Sequence, residues 1–472
     1  MPFLYTAASD LRRAWPNFEL DLPLDSPAGG GPNPFYVERP ANPIARLEEE
    51  LLAPYRLPPK YFFSGNRGCG KSNELRRVAG NAEIRARYFP VLFSIRDEAD
   101  VNNLDYRDLL LSIGGRMYRE FRARGGKIPE ALERELTHWR GQVSEEIVRT
   151  RKMPSVDVDG GLDVFFARLA TRVKFEPSTR QELRQIIERG MSELAEAIDH
   201  IADVIQTQTR KTPLVLIDDL DKVDPTTARA IFQGSRETML RPNFAIVYTV
   251  SSSLFYTAEF EAIRDRAVFL PNVKLRKRGS SRRDLEGYEI MRETVRRRLN
   301  PDLISPRALD EAVRISGGVF RELMRVLRFA ITRAHRTGRI EIDHVLGAEA
   351  EIRGEYRRIL TAEQRQTLRD VRARNQLDDP QKLAPLLQML AAMEYADAEP
   401  WCDVHPALVS LLEEGAASPA PPTESDPVPA DPPANTRATA PTPARRSASA
   451  TRARARTAAR PRDDDDDDRA FR

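Results

Sequence analysis

Gly65–Ser72 read GNRGCGKS and follow the short apolar run Tyr61–Phe63, with Ser64 between them. These eight residues match the pattern G-x-x-x-x-G-K-[ST], whose glycines let the chain curl so that successive backbone N–H groups point into one concavity. A helix expected to start near Lys71 adds the positive end of its dipole to the same concavity. A strand, a glycine-rich turn and a helix in this order predict a phosphate-binding loop.

The positions of this loop have distinct expected roles. Lys71 is expected to reach the β and γ phosphates as a point charge and so to take part in catalysis. The Ser72 hydroxyl is expected to fill one corner of a Mg²⁺ octahedron. The ligand implied is ATP with Mg²⁺. The residues predicted to surround it here are Gly65, Asn66, Arg67, Gly68, Cys69, Gly70, Lys71, Ser72 and Asn73.

A second segment carries two adjacent carboxylates. After Pro213 the chain reads LVLIDD, four apolar residues that end in Asp218 and Asp219. A buried parallel strand with acids at its C-terminal tip has this pattern, which is that of a Walker B strand. Asp218 is expected to hold Mg²⁺ through water, and Asp219 to orient or deprotonate an attacking water molecule.

Bulk properties limit the class of protein. With 472 residues, of which 41% are hydrophobic, the chain is long enough for two or three domains. Its two cysteines imply no disulfide framework, which favours a reducing compartment, and we expect the cytoplasm. No run approaches the roughly 18 apolar residues that cross a bilayer. A net charge of +3 does not by itself argue for nucleic-acid binding, and the five histidines show no zinc spacing.

Composition and periodicity divide the chain into five parts. Strands that alternate with helices predict an α/β core with a doubly wound parallel sheet. Helical periodicity over 109–121, 132–147 and 181–205 predicts an all-helical insertion within that core. The parts are an irregular Pro- and Gly-rich arm (1–34), the core (35–275, with the insertion at 96–211), a helical lid (276–358), a winged-helix-like domain (359–415) and a low-complexity tail with an acidic run, expected to be disordered (416–472).

Two residues ahead of the core are candidates for contact with the nucleotide base. Tyr36 and Val37 precede a predicted helix that leads into the phosphate-loop strand. A helix in that position often lays its preceding loop over the adenine. The alternative, a plain connector with one aromatic side chain packed inward, stays equally open.

The loop, the acid pair, the fourth strand and the lid together make residues 35–414 resemble an AAA+ type ATPase. The chain is most similar to the signal-transduction branch called STAND, with origin-recognition type ATPases as near relatives. The resemblance implies a molecular switch that couples ATP binding and hydrolysis to homo-oligomerisation and signalling, in a setting such as bacterial stress or anti-phage defence. Neither the effector domain nor the repeat sensor of that branch is visible in the sequence, so a separate effector or sensor protein is expected.

The resemblance also implies roles for polar residues outside the two motifs. Ser251, with Thr249 as second candidate, is placed to sense the γ-phosphate at the end of the fourth strand, although a satisfied serine turn is equally open. Arg321 follows a Gly-containing turn and is expected to reach the phosphates from the lid. Arg264 or Arg266, before the fifth strand, is expected to enter the neighbouring subunit's site.

Two further positions bear on nucleotide state and turnover. His405 lies where STAND proteins can contact a nucleotide phosphate in the closed resting state, although a structural histidine at a helix start is the better interpretation. Many related ATPases carry Glu where this chain has Asp219. Since Asp is one methylene shorter, ATP binding is a firmer expectation than fast hydrolysis.

Two other functions remain as alternatives. The first is a DNA-loading or DNA-remodelling ATPase that uses the winged helix on duplex DNA. Residues 381–392 disfavour it, because this candidate recognition helix carries Lys382 as its one basic residue. The second is a nucleotide-binding scaffold with little turnover, favoured if Asp219 is too short to position water.

Overall fold

The computed structural model describes residues 3–25, 32–39, 42–149, 166, 171, 174, 177–256, 258–376 and 379–414. All of them lie in the first of the two units into which the chain divides, Met1–Ser418. The expected disordered tail at 416–472 falls outside the described residues, as does most of 150–176 within the expected insertion.

Five short strands form one parallel sheet in the order β2-β3-β4-β1-β5. They are β1 (Lys60–Gly65), β2 (Tyr88–Ser94), β3 (Thr212–Asp218), β4 (Ala245–Thr249) and β5 (Ala267–Leu270). The register pairs Phe62 with Tyr248 and Leu216 with Val247, so β4 lies between β1 and β3. Because the carboxyl ends of parallel strands meet at one edge of a sheet, the loop after β1 and the acids that end β3 lie at the same edge.

Both faces of this sheet are covered, which is why its strands are apolar at nearly every position. Along β3, Leu214 and Leu216 pack with Phe63 on one face, against the helices before and after the phosphate loop. Val215 and Ile217 belong to the buried cluster on the other face, which includes the insertion helices. The structure therefore confirms the predicted α/β core with a doubly wound parallel sheet.

The helices that precede the lid are α1 (Leu11–Ala14), α2 (Pro43–Leu52), α3 (Lys71–Gly80), α4 (Ala82–Arg87), α5 (Ile95–Glu98), α6 (Tyr106–Ala123), α7 (Glu130–Arg149), α8 (Pro177–Arg189), α9 (Met191–Thr209), α10 (Pro225–Arg229) and α11 (Arg236–Leu240). The helical periodicity over 181–205 corresponds to two helices, because the chain breaks at Gly190 between α8 and α9. A Cβ at this position would lie 3.3 Å from Trp139 Nε1, so the glycine permits close packing on α7.

The predicted lid, residues 276–358, contains the helices α12 (Leu285–Arg296), α13 (Pro306–Ser316), α14 (Phe320–Ala334) and α15 (Ile342–Ile359). Residues 360–414, still within Met1–Ser418, are called the C-terminal unit below. Its elements are α16 (Ala362–Arg374), α17 (Pro380–Gln388), an antiparallel hairpin of β6 (Ala392–Ala396) and β7 (Pro400–Val404), and α18 (Val409–Glu414). One buried cluster, with members Val313, Leu327, Leu386 and Leu408, joins the lid to this unit. Within the described ranges, none of the helices is long and apolar enough to cross a bilayer.

The N-terminal arm, residues 3–25, differs from the irregular segment that the sequence predicted. Asp10 caps α1 by accepting a hydrogen bond from the Arg13 amide, and a 3₁₀ turn follows over Trp15–Phe18. Leu11, Ala14 and Phe18 are buried in the same cluster as the lid helices. Their spacing of three and four residues places them on one helical face, a signal that the surrounding prolines and glycines obscured.

Two glycines with positive φ allow a matched test of lid packing. Gly318 (φ +79°) lies between α13 and α14, and a Cβ built on it would be 1.7 Å from the Val273 carbonyl oxygen. Gly338 (φ +73°) has similar backbone strain, but among the described residues no atom lies within 4 Å of its Cβ position. We predict that Gly338→Ala lowers the free energy of unfolding by about 1 kcal/mol, and Gly318→Ala by at least ~1 kcal/mol more. Denaturant titration measures both losses, and equal losses would contradict the close approach at residue 318.

Candidate functional site

The glycine-rich segment forms a tight turn between β1 and α3. Gly68 (φ +77°) and Gly70 (φ +105°) adopt left-handed conformations that favour glycine. The Cys69 amide donates to the Asn66 carbonyl oxygen at 3.3 Å, which closes the turn, and α3 begins at Lys71. The strand, turn and helix expected of a phosphate-binding loop are therefore all present.

Lys71 is buried at the base of this loop. Its ammonium donates to the carbonyl oxygens of Gly65 (2.8 Å) and Asn66 (3.0 Å), and it lies 2.9 Å from Asp221 Oδ2. Burial alone would lower the pKa of the Lys71 ammonium, but the Asp221 carboxylate, with smaller contributions from Cys69 and Asp218, raises that pKa overall. The Lys71 ammonium, which is expected to bind phosphates, thus contacts two carbonyl oxygens of its own loop and the Asp221 carboxylate.

The acids that follow β3 gather beside the loop. Carboxylate oxygens of Asp218, Asp219 and Asp221 lie within 4.8 Å of one another. Burial, and then the neighbouring Asp219 carboxylate, raise the pKa of Asp218, while a hydrogen bond from the Ser72 hydroxyl opposes them. Hard oxygen ligands of this kind fit Mg²⁺, and Ser72 and Asp218 are the two residues that the sequence assigned to it.

Asp219 occupies a constrained position at the strand tip. Its φ of +68° is unusual for a residue other than glycine. The Ser94 hydroxyl donates to Asp219 Oδ2 at 2.6 Å, and Lys222 Nζ lies 2.5 Å from Oδ1. Burial would raise the pKa of Asp219, but the hydrogen bonds from Lys222 and Ser94 lower it overall. The contacts with Ser94 and Lys222 thus hold the Asp219 carboxylate in one position at the strand tip.

A cavity of ≈ 360 Å³ joins these groups to the lid and the N-terminal arm. This volume is within the range of small-molecule binding sites. The cavity brings together many of the residues predicted to contact nucleotide or metal. Those that line it are Tyr36, Val37, Arg67, Gly68, Gly70, Lys71, Ser72, Asn73, Asp218, Asp219 and Arg321.

Arg321 connects the lid to the phosphate loop. Its backbone amide donates to the Gly68 carbonyl oxygen at 3.2 Å, and a Cβ on Gly68 would lie 2.4 Å from Arg321 Cβ. The guanidinium forms an ion pair with Asp21 of the N-terminal arm. The N-terminal end of α14 therefore rests directly on the loop.

Tyr36 lines the cavity beside α3. Its hydroxyl donates to Glu74 Oε2 at 3.2 Å. Burial, and then the Glu74 carboxylate, raise the pKa of Tyr36 well above its usual range. The ring is thus held by a polar anchor while Val37 beside it also lines the cavity.

Eight predicted residues lie outside the described lining of this cavity: Gly65, Asn66, Cys69, Thr249, Ser251, Arg264, Arg266 and His405. Ser251 is buried after β4, whereas Arg264 is about two-thirds exposed and pairs with Glu261. His405 is fully buried, accepts a hydrogen bond from the Ala407 amide and lies 3.4 Å from Glu322. These contacts fit the structural interpretation of His405.

Thr249, the second sensor candidate, ties β3 to β4. Its hydroxyl donates to the Ile217 carbonyl oxygen at 2.9 Å and accepts from the Leu220 amide at 3.0 Å. This hydroxyl therefore fixes the turn that carries Asp219.

Three residues of the site were not predicted from the sequence. Asp221 holds Lys71, and only its place two residues beyond the acid pair could have suggested it. Arg39 donates to the carbonyl oxygens of Cys69 and Pro271, and its guanidinium lies 5.0 Å from the Phe320 ring centroid. Asp21 pairs with Arg321 across about 300 residues of sequence, which no local pattern reveals.

We predict that Thr249→Val lowers the free energy of unfolding by about 1–3 kcal/mol, because it leaves the buried Leu220 amide without its acceptor. Thr249→Ser keeps the hydroxyl and is the matched control, with a loss of less than about 1 kcal/mol. Thermal or denaturant unfolding measures both. A Val variant as stable as the Ser variant would contradict this role.

Comparison with known proteins gives structural neighbours only. No family model matches the sequence, and no curated protein matches it. Cdc6p from Pyrobaculum aerophilum is a structural neighbour with 12% identity and a TM-score of 0.38, over 81% of this chain and 98% of that chain. Orc1 of Aeropyrum pernix in complex with DNA is a neighbour with 14% identity and a TM-score of 0.37, over 81% of this chain and 93% of that chain. The Thermotoga maritima RuvB Holliday junction branch migration motor is a neighbour with 11% identity and a TM-score of 0.32, over 78% of this chain and 92% of that chain.

The features that support the predicted family relationship lie in the chain itself. They are the strand order with β4 between β1 and β3, the phosphate loop after β1 and the acids that end β3. The Cdc6 and Orc1 proteins are among the structural neighbours of this chain.

Proposed function

We propose that the protein is a STAND-like, nucleotide-driven switch that binds and hydrolyses ATP with Mg²⁺. The observation that carries this proposal is the hydrogen bond from the Arg321 amide to the Gly68 carbonyl oxygen. It makes the lid a direct neighbour of the residues that would surround phosphates. Any ligand that moves the loop must therefore act on the lid.

The state of Lys71 supports a coupled change on nucleotide binding. To reach a phosphate chain, its ammonium must exchange contacts with Gly65, Asn66 and Asp221 for phosphate oxygens. A ligand shifts a conformational equilibrium by the difference in its affinity for the two states. Phosphate binding that requires this exchange therefore favours a second arrangement of loop and lid.

The C-terminal hairpin gives the switch a route beyond the lid. Asn66 Nδ2 of the phosphate loop donates to the Glu394 carbonyl oxygen at 3.4 Å, and Asn272 Nδ2 donates to the same oxygen at 3.0 Å. The Tyr395 hydroxyl donates to the Gly317 carbonyl oxygen at 2.6 Å. The hairpin thus touches both the loop and the turn that starts α14, so we assign the structure to a resting state that ATP opens.

Association of protomers and hydrolysis complete the proposed cycle. Opened protomers form a homo-oligomer, hydrolysis returns them to the resting state, and a separate effector or sensor protein supplies the trigger or the output. We extend the proposal to stress or anti-phage defence in a bacterium, and to the cytoplasm, on the sequence resemblance alone.

The DNA-loading alternative has weaker support from surface charge. The helix that would read DNA, α17 (Pro380–Gln388), carries Lys382, whose ammonium lies 3.7 Å from Asp379. A basic face is what a DNA-reading helix needs. The scaffold alternative rests on the short side chain of Asp219, and measurement of ATP turnover in the wild-type protein decides it.

The proposal predicts assembly driven by nucleotide alone. Particle mass is measured without nucleotide, with ADP and with a slowly hydrolysed ATP analogue, each with and without duplex DNA. We expect the ATP analogue to increase the mass without DNA, and Lys71→Ala to remain at the monomer mass because nucleotide no longer binds. Assembly only in the presence of DNA would favour the loader instead. Unchanged nucleotide affinity in Lys71→Ala would refute the loop assignment.

We also predict that Arg264→Ala and Arg266→Ala reduce ATP turnover in the oligomer by about 10-fold or more while the affinity for nucleotide is kept. These residues end the 3₁₀ segment before β5 and lie outside the described lining of their own cavity. Arg46→Ala is the matched control, since Arg46 is similarly exposed and also pairs with a nearby acid, Glu50. Full turnover by monomers would contradict a role in a neighbouring site.

A further inference from the structure

The N-terminal arm spans from the lid to the core beside the cavity. At its first end, Leu11, Ala14 and Phe18 are buried among lid side chains. At its other end, the Leu24 amide donates to Asn73 Oδ1 at 3.2 Å, and Asp25 Oδ1 lies 3.0 Å from Arg76 Nε. Asn73 and Arg76 both belong to α3, the helix that follows the phosphate loop. The arm is therefore attached to both bodies that the cavity separates.

Between these two anchors, residues 19–22 and residue 24 form part of the cavity wall. Asp21 in this stretch forms an ion pair with the Arg321 guanidinium. The Arg321 backbone is fixed at Gly68 of the loop, and its side chain lines the same cavity as Lys71. A carboxylate of the arm thus holds a cationic group that stands at the phosphate end of the site.

We propose that Asp21 competes with the phosphate chain of the nucleotide for Arg321, so that the arm determines how strongly the site distinguishes nucleotides by their number of phosphates. This inference rests on the proposed function, because it assumes that a nucleotide occupies the cavity. It adds a specificity-determining residue that lies far from both sequence motifs.

The charges and exposure of the pair make this exchange feasible. The Asp21 side chain is 80% exposed and that of Arg321 is 20% exposed, so the pair is screened by water and is weak. Arg321 contacts Asp21 through one nitrogen, Nη2, and one carboxylate oxygen, Oδ1, whereas a phosphate group can accept two parallel hydrogen bonds from a guanidinium. A nucleotide long enough to reach Arg321 replaces Asp21, whereas a shorter one leaves the ion pair in place.

The test compares nucleotides that differ only in phosphate number. Dissociation constants of AMP, ADP and a non-hydrolysable ATP analogue, each with Mg²⁺, are measured by calorimetry for the wild type and for Asp21→Asn. We expect Asp21→Asn to bind the ATP analogue about two- to five-fold more tightly, because the competing carboxylate is gone, and AMP with unchanged affinity.

Asp25→Asn is the matched control. It removes the same charge from the same arm, but its partner is Arg76 on α3 rather than the lid arginine. We expect the ratio of ATP-analogue affinity to AMP affinity to stay at the wild-type value in Asp25→Asn. In an Arg321→Gln background, Asp21→Asn should no longer change that ratio.

Each result separates this inference from the proposed function. If the wild type binds none of the three nucleotides, the proposed function fails and this inference fails with it. If the wild type binds them but Asp21→Asn leaves the affinity ratio unchanged, or changes it as Asp25→Asn does, only the competition is overturned. An effect of Asp21→Asn that persists in Arg321→Gln also overturns it.

Discussion

The arrangement of the phosphate loop depends on how the buried Lys71 ammonium is paired and hydrogen-bonded. Two carbonyl oxygens of its own loop and the Asp221 carboxylate surround it. A buried charge is tolerated only when it is paired and hydrogen-bonded, so these contacts fix the shape of the loop. They also define what phosphates must replace, because a phosphate chain offers the same anionic oxygens in another arrangement.

The sheet, the lid and the C-terminal hairpin all contact or position the phosphate loop that holds Lys71. The parallel sheet brings the phosphate loop and the acids of β3 to one edge, because β4 sits between their strands. The lid meets the loop through Arg321 and Gly68, and the C-terminal hairpin meets it through Asn66. One buried cluster then joins arm, lid and C-terminal unit. A change at the loop therefore has packed neighbours on every side that must respond.

The sequence predicted the core and the two motifs because their chemistry is local. Gly70, Lys71 and Ser72 owe their roles to neighbours within eight residues, and Asp218 to the strand that precedes it. Asp21 was missed because it meets Arg321 only after the arm folds onto the lid. Ser251 and Arg264 remain predictions, since the roles expected for them need a bound phosphate or a second subunit. Local sequence patterns thus predict the phosphate loop and the acids of β3, whereas the contacts made by the arm and the lid depend on tertiary packing.

The most direct test of a nucleotide-driven change in the lid is the distance between lid and core with and without nucleotide. Spin labels on cysteines introduced at the exposed positions Glu83 of α4 and Arg336 after α14 would report it, since both native cysteines are buried. We predict that a Mg²⁺-bound ATP analogue shifts the distance distribution, and that the shift is absent in Lys71→Ala. An unchanged distribution in wild-type protein with the analogue bound would contradict it.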